Sequence, residues 1–187
     1  MMYFPDPFLW LSPEARKRLW LGSLVISAVS ILAIKVLDAS LVTDAAPSGI
    51  ISFEFAGSMA RAQQILSSWD ADAKIRGALS LGIDNLFLVA YAFFISTSCA
   101  YIGRVLMIRR LSVAKVGFLL GWAQFIAALM DAIENIALIR LLLGSQQELY
   151  AWIAWGCAGI KFTLVGSGLL YMVSGFIYIK FFQYSTD

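Results

Sequence analysis

Four stretches of this chain, residues 19–37, 78–103, 113–143 and 149–181, are each long and apolar enough to cross a bilayer, whose hydrocarbon core takes about 20 residues of α-helix. The composition demands lipid as well. Of 187 residues, 60% are hydrophobic and 14% charged, against about 45–50% apolar and about 25% charged in soluble domains. A fold of this size cannot hide that much apolar surface from water, and the mean hydropathy of +0.80 agrees. The expected fold is all-α and integral to the membrane. It is a single transmembrane domain over residues 1–187, a four-helix bundle with an amphipathic outer helix between the first two spans.

Ser12-Pro13 supplies an N-cap followed by proline at the first helical position, so the first helix is expected to begin before the membrane does. Arg16, Lys17 and Arg18 precede the first span; Arg104, Arg109, Arg110 and Lys115 lie between the second and third, and Lys180 closes the fourth. The opposite side carries Asp38, Asp44, Asp70, Asp72 and Glu148. By the positive-inside rule both termini are cytoplasmic, in a multi-pass protein of the inner (plasma) membrane. The first span has a basic flank like a signal peptide's. It is longer than a usual apolar signal region, however, and Lys35, Asp38 and Asp44 separate it from any plausible cut site. The net charge of +2, without a basic run interleaved with aromatics, argues against nucleic acid as a partner. Histidine is absent, which removes the commonest metal ligand and proton shuttle.

Between the first two spans, "GIISFEFAGSMARAQQILSSW" reads as one amphipathic helix over about residues 49–69. Ile51, Phe55, Met59, Ala62, Leu66 and Trp69 share one face at helical spacing, and Glu54, Ser58, Arg61 and Ser68 another. Such a helix either lies at the outer interface or folds back as a lid. Cys99 and Cys157 are expected at depths about 15 Å or more apart, beyond disulfide reach.

Polar residues recur on matching faces. In the third span Gly117, Gly121, Gln124, Ala128, Asp131 and Asn135 line one face, with Glu134 beside it. The small-xxx-small pair in "GFLLG" lets another helix approach closely. The second span aligns Asp84, Tyr91 and Ser98, with Asn85 adjoining; the fourth aligns Cys157, Lys161, Gly168, Tyr171 and Gly175; the first contributes Ser23, Ser27 and Ser30. Asp131 follows Val113 by 18 residues, about 27 Å along a helix axis, and Lys161 is about 18 Å into the fourth span. With Asp84 near the start of the second, these depths bring Asp84, Asp131, Glu134 and Lys161 together in the outer half, beneath Glu54 and Arg61.

A lone charge at mid-membrane costs about 2.5–3.5 kcal/mol on insertion scales. Lys161 is the one basic residue at the right depth, with Arg61 and Arg140 at the rim. At least one carboxylate is therefore expected to be protonated, bound to a cation or open to an outward cavity. Four readings follow. The cluster is a structural network. Or it is a pocket for a small cationic or amphiphilic ligand, with Tyr91, Tyr171, Trp122, Trp152 and Trp155 as its wall, although interfacial belts explain the tryptophans equally well. Or it is an all-oxygen metal site, against which Lys161 argues. Or it serves transport or catalysis, for which the polar residues thin out toward the cytoplasmic half and no catalytic motif is visible.

Three strings, "GIISFEFAGSMARAQQILSSW", "GIDNLFLVAY" and "MDAIENIALIRLL", resemble a widespread group of small bacterial four-helix integral membrane proteins. The resemblance spans residues 47–142 and includes Glu54, Asp84, Asp131, Glu134 and Asn135. It implies a bacterial four-helix protein and no particular activity. The reading adopted is a non-catalytic membrane protein that binds a small cationic or amphiphilic ligand, a lipid or a protein partner. Its ligand-binding residues are Glu54, Asp84, Asn85, Tyr91, Asp131, Glu134, Asn135 and Lys161. No catalytic or metal-ligating residue is assigned, and nothing names a cofactor. The alternative is a membrane enzyme that uses the intramembrane carboxylates as acid and base on a lipid-like substrate.

Overall fold

The computed structural model describes residues 5–109 and 112–182. Arg110, counted above among the basic residues, lies outside the described residues, as do residues 1–4 and 183–187 at the two termini assigned to the cytoplasm. Among the described residues every regular element is helical: α1 (Pro13–Asp38), α2 (Ile50–Glu54), α3 (Met59–Ser68), α4 (Ala71–Ile108), α5 (Ala114–Leu142) and α6 (Glu148–Phe182), with one 3₁₀ turn at Ala39–Leu41. Four of them, α1 with that turn, α4, α5 and α6, are long and apolar enough to cross a membrane.

Local chemistry sets the ends. Ser12 Oγ accepts the Ala15 amide at 3.2 Å, with Pro13 as the first helical residue, the start expected from Ser12-Pro13. Asp70 Oδ1 accepts the Ala73 amide at 2.8 Å and opens α4. That helix runs seven residues before and five beyond residues 78–103, because hydropathy marks only the part suited to lipid while hydrogen bonding continues until the chain is broken.

The chain forms two compact units whose boundaries fall within the long helices. The first comprises Met1–Val25, Ala90–Ala127 and Phe162–Asp187. Its cores are small: Phe8, Ala100 and Phe118 in one, Ile102, Leu106, Ala114 and Ile179 in another. Helices approach closely where glycine allows it. A β carbon at Gly117 would lie 2.7 Å from the Cys99 carbonyl oxygen and 2.5 Å from the Tyr171 hydroxyl, so the small-xxx-small reading of α5 has a definite counterpart at Gly117. Ser23 lies in this unit and is buried.

The second unit comprises Ile26–Val89 and Ala128–Lys161. Its core contains Leu41, Ile50, Phe53, Ile65, Trp69, Leu81, Leu138 and Leu141. Here the expected single helix over 49–69 is corrected. The chain leaves helical geometry after Glu54 and re-enters at Met59. Gly57 takes φ +66°, which a side chain rarely tolerates. Ser58 then caps α3, its Oγ accepting the Arg61 amide at 3.3 Å. The break resets the helical phase. Ile51 and Phe55 turn outward, while Ile50, Phe53, Ala62, Ile65 and Trp69 are buried. The apolar line drawn through residues 51, 55, 59, 62, 66 and 69 therefore does not exist as one face.

Candidate functional site

The second unit contains a buried charge cluster centred on Lys161. Its Nζ donates to Asp131 Oδ1 at 2.9 Å, to Glu134 Oε1 at 3.0 Å and to Glu54 Oε2 at 3.4 Å. Asp131 and Glu134 sit three residues apart on α5, so both carboxylates reach α6 from one side. Exposure is 0% for Glu134, 2% for Asp131, 7% for Lys161 and 8% for Glu54. Next to this group on α5, Asn135 is 2% exposed and donates its side-chain amide to Asp84 Oδ2 on α4 at 2.7 Å.

Glu54 reaches the cluster from α2, a helix of five residues that cannot hold its shape by propensity alone. Tertiary contacts fix it. Asp38 Oδ1, at the end of α1, accepts the Ile50 amide at 2.8 Å and satisfies one of the helix's free N-terminal donors. Phe53 is fully buried, edge-on to Trp69 with centroids 5.3 Å apart, and the Trp69 indole donates to the Leu41 carbonyl at 2.8 Å. Asp38, read above only as an acidic residue of the outer side, is thus a positioning residue for Glu54.

The charges do not balance. Three carboxylates share one ammonium, and Asp84 has its hydrogen bond from an amide rather than a cation. Burial pushes the Glu54 carboxyl above its ordinary value of 4.5; the Lys161 charge opposes the rise, the Asp131 charge adds to it, and a hydrogen bond with Glu134 opposes it. Glu134 Oε2 is buried and meets no N–H or O–H donor of the described residues. Among the described residues no three Cys, Asp or Glu side chains are arranged to hold a metal ion.

Of the residues singled out in the sequence, Glu54, Asp131, Glu134 and Lys161 meet directly, and Asp84 and Asn135 form the adjoining pair. Asn85 does not join them: it is exposed, and its amide donates to the Leu81 carbonyl of its own helix at 2.8 Å. Tyr91 is buried in the first unit. Arg61, expected at the rim, is held elsewhere, donating to the Ala45 carbonyl at 2.8 Å and to Gln64 Oε1 at 2.6 Å. Arg140 is exposed. Trp122, Trp152 and Trp155 are all exposed as well, which suits an interfacial belt rather than a pocket wall. Cys99 and Cys157 are free thiols. In comparisons with known proteins, no family model, no curated protein and no solved structure matches this chain.

Proposed function

We propose that this chain is a non-catalytic, multi-pass protein of the plasma membrane, a four-helix bundle whose acidic cluster binds a small cationic or amphiphilic ligand from the outer leaflet. The observation that carries the reading is the charge imbalance: Lys161 faces three carboxylates, and Glu134 Oε2 is buried without a donor among the described residues. Unpaired carboxylates are costly inside a membrane, and a ligand's ammonium or comparable cationic head supplies both the missing charge and the missing donors. Access runs past α2, because Glu54 is the one carboxylate of the cluster carried by a segment outside the four long helices. Both termini cytoplasmic, and kinship with the small bacterial four-helix proteins, belong to the same proposal. They rest on the lysine and arginine asymmetry and on the three strings quoted above.

The enzymatic alternative has less support. Acid–base work needs a free carboxyl group to exchange a proton with its substrate, whereas Asp131 and Glu134 each already accept from Lys161, and no catalytic motif is visible in the sequence. Native mass spectrometry in mild detergent tests the proposal, comparing the parent chain with Asp131→Asn and Glu134→Gln. A bound small molecule or lipid that either substitution removes is the expected result. A bare polypeptide mass in all three samples would overturn it and leave the cluster as a structural network.

A further inference from the structure

We propose that the first unit carries a second binding site, for the headgroup of an anionic phospholipid. A cavity of about 650 Å³ opens there, bordered by α1, α4 and α6, a size typical of ligand sites, roughly 300–1,000 Å³. Its lining divides by chemistry. Arg16, Lys17 and Arg104 supply cationic side chains, Trp20, Tyr101 and Phe176 an aromatic wall, and no acidic residue takes part.

The cations are not balanced among the described residues. Arg104 pairs with Asp6 at 2.5 Å, but among the described residues neither Arg16 nor Lys17 forms a salt bridge. Arg16 Nε is buried with no hydrogen-bond partner among the described residues. Buried donors of this kind are nearly always satisfied, and a guanidinium is best satisfied by the paired oxygens of a phosphate or carboxylate. Three neutral donors of the lining are already engaged. Thr97 and Ser98 donate to the Phe93 and Phe94 carbonyls of their own helix at 2.7 and 2.8 Å, and the Trp20 indole donates to Ser98 Oγ at 2.9 Å. Besides the Tyr101 hydroxyl, what the cavity still offers is positive charge.

The aromatic wall separates a lipid from a free anion. Tyr101 and Phe176 stack with centroids 6.4 Å apart, and Trp20 lies 5.8 Å from Phe94. Inorganic phosphate gains nothing from that surface. A phospholipid uses both parts, its phosphate on Arg16 and Lys17 and its glycerol and first methylenes against the rings. Basic pockets between membrane-spanning helices are suited to anionic headgroups in this way. The site shares no residue with the Lys161 cluster, so neither proposal depends on the other.

The experiment uses the delipidated full chain in mild non-ionic detergent. Phosphatidylglycerol and phosphatidylcholine with the same acyl chains are titrated in and bound lipid is read by native mass spectrometry. Phosphatidylglycerol is expected to bind several-fold more tightly. Each cation removed weakens it about fivefold, so Lys17→Gln loses about fivefold and Arg16→Gln/Lys17→Gln about 25-fold. Arg76→Gln, in the second unit and paired with Asp72 at 2.7 Å, leaves it unchanged. Lys17 is exposed, so its variant reads charge without threatening the fold. Equal affinity for the two lipids, an unaffected Lys17→Gln, or displacement of phosphatidylglycerol by an equal concentration of inorganic phosphate would each overturn the proposal.

Discussion

Asn135 gives its side-chain amide to the Asp84 carboxylate across 2.7 Å, from α5 to α4, and is itself 2% exposed. This bond joins two long helices by one polar contact just beside the Lys161 cluster.

Asn135→Leu keeps most of the side-chain volume and leaves Asp84 Oδ2 without that donor. A loss of about 1–3 kcal/mol is expected. Asp84→Asn in the same background should recover part of it, because a neutral amide is cheaper to leave unpaired than a carboxylate. Unfolding of the single and double variants in detergent checks this, and additive losses would mean that the two residues do not cooperate.

Lys161→Met removes the one cation from three buried carboxylates. Breaking a buried ion pair by deleting one partner costs roughly 3–5 kcal/mol, so this variant should be the least stable of the set. Combining it with Glu54→Gln and Asp131→Asn should restore a monodisperse peak in size-exclusion chromatography. A stable Lys161→Met on its own would show that the carboxylates are neutral without lysine.

Glu54 gives a pH dependence with a definite sign. Its folded-state value is raised, chiefly by burial, above the ordinary 4.5, so the folded chain holds this proton more tightly than the unfolded one. The stability that proton contributes is present in full below 4.5 and is lost as pH rises through Glu54's raised value. Melting temperature recorded against pH should fall over that window in the parent chain and fall less in Glu54→Gln. Identical profiles would remove Glu54 from the account.

Gly117→Ala places a methyl group 2.7 Å from the Cys99 carbonyl oxygen, a backbone atom that cannot turn aside. Overpacking of this kind costs about 1–3 kcal/mol. Gly22→Ala, which meets nothing within 4 Å, should be neutral or stabilising by up to about 1 kcal/mol, since alanine is the better helix former. Comparing the two melting temperatures separates close approach from helix propensity.

The four long helices were legible because about 20 apolar residues leave little other choice, and the cluster because Asp131, Glu134 and Lys161 fall at compatible distances along their helices. The segment between α1 and α4 was not legible as it folds. Its apolar spacing runs unbroken through residues 51–69, yet "AGS" at residues 56–58 contains both a left-handed glycine and a serine cap. A periodicity count weighs neither. Asn85 and Arg61 stand apart from the cluster for a related reason: adjacency to a polar face does not say where a side chain bonds, and Asn85 turns back to the Leu81 carbonyl of its own helix while Arg61 reaches the Ala45 carbonyl. The cavity beside Arg16 was invisible in the sequence because its lining comes from three separated helices.

The five residues of α2 have a bearing on assembly. Asp131, Glu134 and Lys161 are brought near one another by the packing of α5 and α6, whereas Glu54 is held against them by a segment that depends on the Asp38 cap at Ile50 and on Phe53 seated beside Trp69. Lys161 therefore takes its third carboxylate from a connecting segment whose five-residue helix relies on tertiary contacts for its shape. The chain in effect tests whether its loop is correctly folded against the charge at its centre: a loop that misfolds leaves a lysine short of one carboxylate, and a lysine lost leaves the loop without an anchor.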